Sequence, residues 1–334
     1  MDVALAKRVL ITGATGFVGR RLAFRLIERG NRVLVLARNP HKAADLFGPH
    51  AEVVTDLSSI PAADRIDAIV NLAGAPIGGG LWTRKRKALL VGSRLDVTNA
   101  LLTLVARLDV KPTTWVNASA IGYYGVRGDE ELHEKSPPQP TFQSELCRRW
   151  EEAAGRAGDL GVKVALLRIG LVLGADGGAL PALARPVRLG CGAVLGSGKQ
   201  WVSWIEIGDL IELALFVLDQ ETLAGPVNAT APVPVTHAAL MHALAAALGR
   251  RLLPVAIPER LLRASLGELA QLFVDGQRVL PARATALGFE FQYPTVAAAL
   301  AATFASGAAP GAGVAGERGK EAEPPSSAPG SATV

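Results

Sequence analysis

The sequence predicts an α/β fold: a doubly wound parallel sheet with a smaller C-terminal lobe. Three observations carry this. Strand-like and helix-like segments alternate through residues 1–170, the pattern of parallel strands joined by covering helices. A glycine-rich stretch, Thr12-Gly13-Ala14-Thr15-Gly16-Phe17-Val18-Gly19, lies between the first strand and the first helix. After Gly170 the character changes, and Gly174, Gly177, Gly178, Pro181, Pro186, Gly190 and Gly192 punctuate shorter elements.

The elements follow in order. Val9-Leu10-Ile11 is a short apolar run and reads as a buried parallel strand. Val18, Leu22 and Leu26, with Ala23 and Ile27, recur at helical spacing over 17–29, and Gly30 supplies the stop. Further strands are expected at 33–37, 53–55, 68–72, 115–118 and 164–169, and helices at 40–47, 82–108 and 142–157. The helix at 82–108 is unusually long and carries Leu89, Leu90, Leu95, Leu101, Leu102 and Val105, enough for an oligomer contact as well as a core face. Beyond Gly170, residues 207–219, 236–248 and 258–273 read as helices, the second with Thr236 as N-cap.

The expected organisation is therefore a nucleotide-binding unit over 1–170, with return segments from the C-terminal half, and a substrate lobe over 171–304. Residues 305–334 are Gly, Ala, Pro, Ser and charge without periodicity, the composition of a disordered tail. With 49% apolar residues and a net charge of +5 in 334 residues, the default is a globular chain. No long uninterrupted apolar run suggests a membrane span, and the first ten residues show no leader pattern, so a cytoplasmic location is expected. Cys147 and Cys191 do not make a disulfide framework, and no Cys/His cluster has metal-ligand spacing. Arg84-Lys85-Arg86-Lys87 lacks the interleaved aromatics of a single-strand binder and reads as a solvated helix turn rather than a nucleic-acid site. Glu130, Glu131 and Glu134 around His133 read as a polar loop, because neighbours in sequence do not define a metal site.

Glycines between a strand and a helix are what a dinucleotide site requires. One makes the tight turn, one admits the pyrophosphate and one lets helix and strand pack closely. Gly13, Thr15, Gly16, Phe17, Val18 and Gly19 are thus the phosphate-binding candidates, with the helix N-terminus facing the anion. The second strand ends Val35-Leu36-Ala37-Arg38. The acid that would bind the adenosine ribose of NAD is replaced here, and a guanidinium follows that can pair with the 2′-phosphate of NADP(H). Asp56, after the third strand, fits either an acceptor for the adenine amino group or a loop cap. Asn71-Leu72-Ala73-Gly74 ends the fourth strand, where a small backbone profile along the cofactor ribose is wanted.

Several stretches together resemble the extended short-chain dehydrogenase/reductases, a family with a Rossmann sheet. They are Thr12-Gly13-x-x-Gly16-x-x-Gly19, Asp56-Leu57, Asn71-Leu72-Ala73-Gly74 and Ser119-Ala120-x-x-x-Tyr124-Gly125. Gly92-Ser93-Arg94, Trp150-Glu151, residues 168–174 and residues 204–210 are similar to its atypical branch, the epimerase family proteins related to nucleotide-sugar epimerases. The 281–289 stretch resembles that branch's C-terminal extension. The resemblance covers residues 8–304 and implies that Arg38 meets the 2′-phosphate. It also implies that Leu72 and Ala73 flank the adenosine or ribose, that Arg94 points into the cofactor cleft, and that Leu171 and Val172 approach the nicotinamide side. Read by itself, an arginine on a leucine-rich helix fits an anionic ligand or an intramolecular ion pair equally.

The family's proton relay is a tyrosine with a lysine four residues later, the lysine drawing the tyrosine pKa toward neutrality. None of the three tyrosines here has that lysine. Anchored on Trp150-Glu151, the two positions hold Gln143 and Cys147; shifted by one, they hold Phe142 and Leu146. Ala120 stands at the position of the family's catalytic hydroxyl, with Ser119 one step earlier. Replacement acids are Tyr123 or Tyr124 just past the fifth strand, Ser119, Cys147 and Lys199; Tyr123 and Ser119 rank first. Two functions are compatible with these residues. One is an NADP(H)-dependent, epimerase-like oxidoreductase acting on a small carbonyl, hydroxyl or nucleotide-linked compound, as a monomer or homodimer. The other is a noncatalytic NADP(H)-binding sensor or scaffold.

Overall fold

The computed structural model describes residues 6–220 and 222–306. Seven strands form one parallel sheet: β1 (Arg8–Thr12), β2 (Arg32–Leu36), β3 (Ala51–Val54), β4 (Ala68–Asn71), β5 (Thr114–Ala120), β6 (Lys163–Ile169) and β7 (Gly225–Ala229). Their spatial order is β3-β2-β1-β4-β5-β6-β7, and every pairing is parallel. The order reverses between β1 and β4, so the crevice at their carboxyl ends is the ligand position of a doubly wound sheet.

The strands alternate their side chains between two cores. Val9, Ile11, Val33, Val35, Val70, Val116 and Leu167 pack under α1 (Phe17–Glu28), α2 (Pro40–Phe47) and α6 (Ile207–Asp219). Leu10, Leu34, Ile69 and Trp115 face the other way, toward α3 (Arg84–Arg107) and α4 (Phe142–Gly155). Such two-sided burial is why these strands read as continuous apolar runs. A third cluster joins Leu180 and Val187 of α5 (Leu180–Arg188), Leu240 and Leu244 of α7 (His237–Ala247) and Leu300 of α11 (Val296–Ser306). Between α7 and α11 lie α8 (Glu259–Leu266), α9 (Gln271–Val274) and α10 (Ala282–Ala286).

Several expected boundaries shift for local reasons. α3 starts at Arg84, because Thr83 is the better cap and accepts from the Arg86 N–H at 3.2 Å, while Trp82 is buried and donates to the Ile77 carbonyl. The expected helix at 258–273 is broken at Gly267, whose φ of +56° ends α8. α6 and β7 return to the sheet although they follow Gly170, and β7 carries Pro226, which suits an edge strand. Thr236 caps α7 as expected, accepting from the Ala239 N–H at 3.2 Å. α11 ends at Ser306 and so includes Ala305 and Ser306, two residues of the stretch expected to be disordered; the remainder of that tail from 307 lies outside the described residues.

α3 has the length and apolar composition of a membrane span, yet Leu101, Leu104 and Val105 bury one face against the sheet and Arg94 sits in its middle.

His237, at the start of α7, is 4% exposed, and neither ring nitrogen has a hydrogen-bond partner among the described residues. Burial lowers its pKa, so the folded state resists protonation while the unfolded state does not. The fold should therefore lose stability as pH falls below about 6.5, the unfolded histidine value. His237→Leu should flatten that acid limb; equal pH dependence of melting in both proteins would refute the assignment.

Candidate functional site at the carboxyl ends of the strands

The glycine loop joins β1 to α1 at the crevice. Gly13 has φ +70°, and a Cβ there would lie 2.7 Å from the Leu72 carbonyl oxygen. The loop thus packs directly on the segment after β4. At Gly19 a Cβ would lie 2.8 Å from the Gly13 carbonyl carbon and 2.9 Å from the Ala14 Cα, so only glycine lets α1 seat on the loop. Gly16 is the N-cap of α1 and offers no side-chain cap, nor is there an acid in the first turn. The other sheet-covering helices are each capped, by Asn39, Thr83, Thr141 and Glu206. The α1 N-terminus, with Thr15, Phe17 and Val18 beside it, is therefore open to an anion.

Beneath the loop lies a buried polar ladder. Thr12 donates to Asn71 (2.6 Å), and Asn71 donates to Thr98 (3.0 Å) and Asn117 (2.7 Å). Trp115 donates to Asn117 and Trp150 to Thr98. The Ala73 N–H donates to the Thr12 hydroxyl at 3.2 Å. The ladder ties β1, β4, β5, α3 and α4 together under the backbone of Leu72, Ala73 and Gly74.

Arg38 is exposed just past β2 and forms no ion pair or hydrogen bond among the described residues. Asp56 caps the turn Leu57–Ser59, accepting from the Ser58 N–H at 2.9 Å and from its hydroxyl. These bonds hold its carboxyl below the usual range. The cap is thus the role the contacts assign to Asp56. The Leu57 side chain is buried in the core under α3, because the turn rolls it inward, so it is the backbone of Leu57 that the turn leaves toward the crevice side of β3. Leu171 and Val172 start a strand that pairs in parallel with Trp204 and Ile205. The following turn meets α1 through Asp176, which pairs with Arg20 and Arg21.

The proton-relay region is resolved by α4. Gln143 lies against Gly122, where a Cβ would come within 2.9 Å of its Oε1. Phe142 and Leu146 instead join the apolar cluster of Trp82 and Leu269. Gln143 thus lies against the segment after β5, whereas Phe142 and Leu146 face away from it. Cys147 is buried, and burial, aided by Glu151, pushes its thiol up to about 11, outweighing the Ala120 N–H and Arg94. An uncharged, buried thiol is not an acid–base group at neutral pH.

Ser119 does not face the crevice. It is 4% exposed, and its hydroxyl donates to Glu151 at 2.6 Å. Glu151 in turn receives a two-pronged contact from Arg168, at 2.9 and 2.8 Å. Arg168 also donates to the Tyr124 hydroxyl (3.0 Å) and the Glu134 carbonyl (3.1 Å). The Tyr124 hydroxyl donates to Asn228 at 2.6 Å. Burial pushes Tyr124 up to about 12 despite the adjacent Arg168. Glu134 turns inward and accepts from the Asn228 and Arg283 N–H groups, so it is not part of a metal set with His133. Sequence reading overlooked this network. Its signal was present: a charge inside the apolar strand 164–169 and another on the buried face of α4 must find each other.

Tyr123 remains. Its ring is half-buried and lies over the Arg168 guanidinium, with the carbon 3.4 Å from the ring centroid. Its carbonyl accepts from Ser144 at 2.6 Å, which fixes the backbone. Its hydroxyl has no partner among the described residues. Lys199 is exposed on the 196–200 loop.

Comparison with known proteins places these features in context. Residues 9–229 match the NAD dependent epimerase/dehydratase family, and residues 257–303 match a domain of unknown function, DUF1731. An epimerase family protein SDR39U1 homolog, chloroplastic, from Arabidopsis thaliana is 40% identical over 301 residues, covering 88% of this chain and 86% of its own. The crystal structure of human epimerase family protein SDR39U1 (isoform 2) with NADPH superposes with a TM-score of 0.81 at 34% identity, covering 89% of this chain and 98% of that one. A nucleoside-diphosphate sugar epimerase from Corynebacterium glutamicum superposes at 0.71 with 33% identity, covering 89% of this chain and 57% of that one.

Proposed function

The chain belongs to the NAD dependent epimerase/dehydratase family, and from that premise we propose that it is an NADP(H)-binding, epimerase-like oxidoreductase of the short-chain dehydrogenase/reductase type. The observation that carries this reading is the uncapped N-terminus of α1 set over a glycine loop that a single Cβ would obstruct. The similar human protein was crystallised with NADPH. Gly13, Thr15, Gly16, Phe17, Val18 and Gly19 would hold the diphosphate, Arg38 the 2′-phosphate, and the backbone of Leu72, Ala73 and Gly74 the adenosine side. Arg94, Leu171 and Val172 would flank the nicotinamide half. When bound, the cofactor supplies hydride chemistry. The chain's own contribution is to orient the partner compound and hold a proton near its oxygen, and Tyr123 is the candidate for that proton. The substrate is a small carbonyl, hydroxyl or nucleotide-linked compound, and the chain acts as a monomer or homodimer.

Two measurements test the reading. NADPH should bind more tightly than NADH in calorimetric titration, and Arg38→Ala should cost about 1–3 kcal/mol of NADPH binding, the worth of hydrogen bonds to a charged group, with NADH barely affected. Equal affinities in the unaltered protein would end the NADP(H) assignment. With a turned-over carbonyl compound in hand, Tyr123→Phe should slow single-turnover NADPH oxidation by roughly a hundredfold, the usual contribution of a positioned acid. Cys147→Ala should leave most activity intact. Full activity in Tyr123→Phe would remove that residue from the reaction.

A second reading, a noncatalytic NADP(H)-binding sensor, is favoured by one set of residues: Ala120, Gln143 and Cys147 stand where the family's relay stands. Tight NADPH binding with no turnover of any carbonyl compound would favour it.

A further inference from the structure

Residues 258–275 join two firmly held stretches of chain. On one side Ala256–Ile257 pairs in parallel with Val194–Leu195, and the Ile257 carbonyl accepts from the Gly196 N–H at 2.9 Å. On the other, Gly276 is buried so closely that a Cβ there would lie 2.6 Å from the Trp201 carbonyl oxygen. Gln277 follows, donating to the Gly125 carbonyl and accepting from the Ser203 hydroxyl, each at 2.8 Å.

Between these anchors the segment is one braced piece. α8 and α9 pack chiefly against the turn Gly267–Ala270 that joins them. Arg263 of α8 donates to Glu259 and to Asp275, both at 2.7 Å, so one guanidinium ties the start of the piece to its end. α8 and α9 keep every residue at least partly exposed, and the buried residues of the piece are Leu269 and Ala270 of the turn.

The contacts that hold the piece down lie on one side. Leu266, Leu269, Leu272 and Phe273 share an apolar cluster with Trp82, Leu90, Phe142 and Leu146. At its edge Lys87 donates to Glu268 at 2.5 Å and lies over the Phe142 ring at 4.9 Å. The Phe273 carbonyl accepts from Gln200 at 2.9 Å. The place covered is a mouth of the crevice. Ala75 and Ile77 of the same cluster lie in the loop after β4, and Phe142 precedes Gln143, which lies against Gly122 just past β5. Arg38, past β2, is on the opposite side of β1. An exposed ion pair holds little, and apolar contact is non-directional. The piece can therefore part from the starts of α3 and α4 without breaking a backbone ladder.

We propose that residues 258–275 are a lid. The braced piece swings about Pro258 and Gly276, admits a compound to the end of the crevice beside Gln143, and closes its apolar face over it. Trp82 and Phe142, with rings 5.3 Å apart, are the seat, and Lys87 with Glu268 is the latch. The proposal rests on the NADP(H) reading of the crevice above.

Hydrogen–deuterium exchange of the full chain, read by mass spectrometry, tests it. Amides of 259–274 should exchange about tenfold or more faster than those of α7, whose Leu240, Met241 and Leu244 are buried, because weakly held units open locally. Glu268→Lys sets like charges against each other at the latch and should quicken exchange in 259–274 about two- to fivefold. Leu269→Ala removes a buried side chain from the seat and should quicken it about tenfold or more. In both variants α7 should stay within about twofold, and so should NADPH affinity, since the glycine loop and Arg38 lie outside the lid. The apolar dye 1-anilinonaphthalene-8-sulfonate should fluoresce more brightly on both variants as Trp82 and Phe142 are uncovered. Exchange in 259–274 as slow as in α7, or α7 quickening in step with it, overturns the proposal. So does faster exchange with no gain in dye fluorescence. If Leu269→Ala does not fold, Glu268→Lys, at an exposed site, decides alone. Failure of the unaltered chain to bind NADPH would fell the NADP(H) reading, while the exchange rates would still judge the movement of the lid.

Discussion

Arg168→Met is expected to destabilise the fold by about 3–5 kcal/mol, the cost of leaving a buried charge without its partner. Arg168 and Glu151 have side chains only 4% and 8% exposed. Removing the guanidinium strands Glu151, deprives the Tyr124 hydroxyl and the Glu134 carbonyl of a donor, and withdraws the shelf under the Tyr123 ring. Urea unfolding should show the loss as a lower midpoint at unchanged slope, and heating as a melting temperature lower by about 2–4 °C per kcal/mol. The double variant Arg168→Met/Glu151→Gln should recover part of the loss, because the uncompensated charge is then gone. A cost below about 1 kcal/mol, typical of a surface pair, would show that the pair is solvated and that the network does not anchor the crevice.

Gly19→Ala should be the most damaging single-methyl change in the nucleotide loop. The added carbon would meet the backbone of Gly13 and Ala14, not a side chain that can rotate away. Overpacking of this kind costs about 1–3 kcal/mol or more. Here the relief available is to lift α1 off the loop, which moves the N–H groups proposed to bind the diphosphate. NADPH affinity should fall together with stability. Gly155→Ala is the matched control: it ends α4, a Cβ there meets nothing within 4 Å, and alanine favours the helix. Normal NADPH binding in Gly19→Ala would remove the loop from the binding site, whatever happens to Gly155→Ala.

The sequence by itself determined the first six strands of the sheet, the helices between them, and the position of the crevice. These follow from signals carried by neighbouring residues: the apolar run Val9-Leu10-Ile11, the 3.6-residue spacing from Val18 to Leu26, and the glycines at 13, 16 and 19 that a turn of this kind demands. The position of Arg38 was legible for the same reason, since it directly follows a strand, and the structure leaves it exposed there. Caps were legible in part: Thr236 was recognised, while Thr83 was hidden by the apolar Trp82 before it.

The tertiary structure decided what depends on partners far along the chain. Ser119 and Tyr123 are four residues apart, yet one hydroxyl turns into the core toward Glu151 and the other has no partner among the described residues, while Arg168 arrives from β6, pairs with Glu151 and packs against the Tyr123 ring. Which side of α4 Gln143 faces needed the contact with Gly122, and the return of residues 225–229 to the sheet needed β6 as its neighbour. The placement of Arg94 over α4 arises from two helices crossing one sheet face. Periodicity says which face of an element is apolar. It does not say which charged side chain another element will bring there; burial settles that, because a charge removed from water must be met by whichever group the packing places within reach.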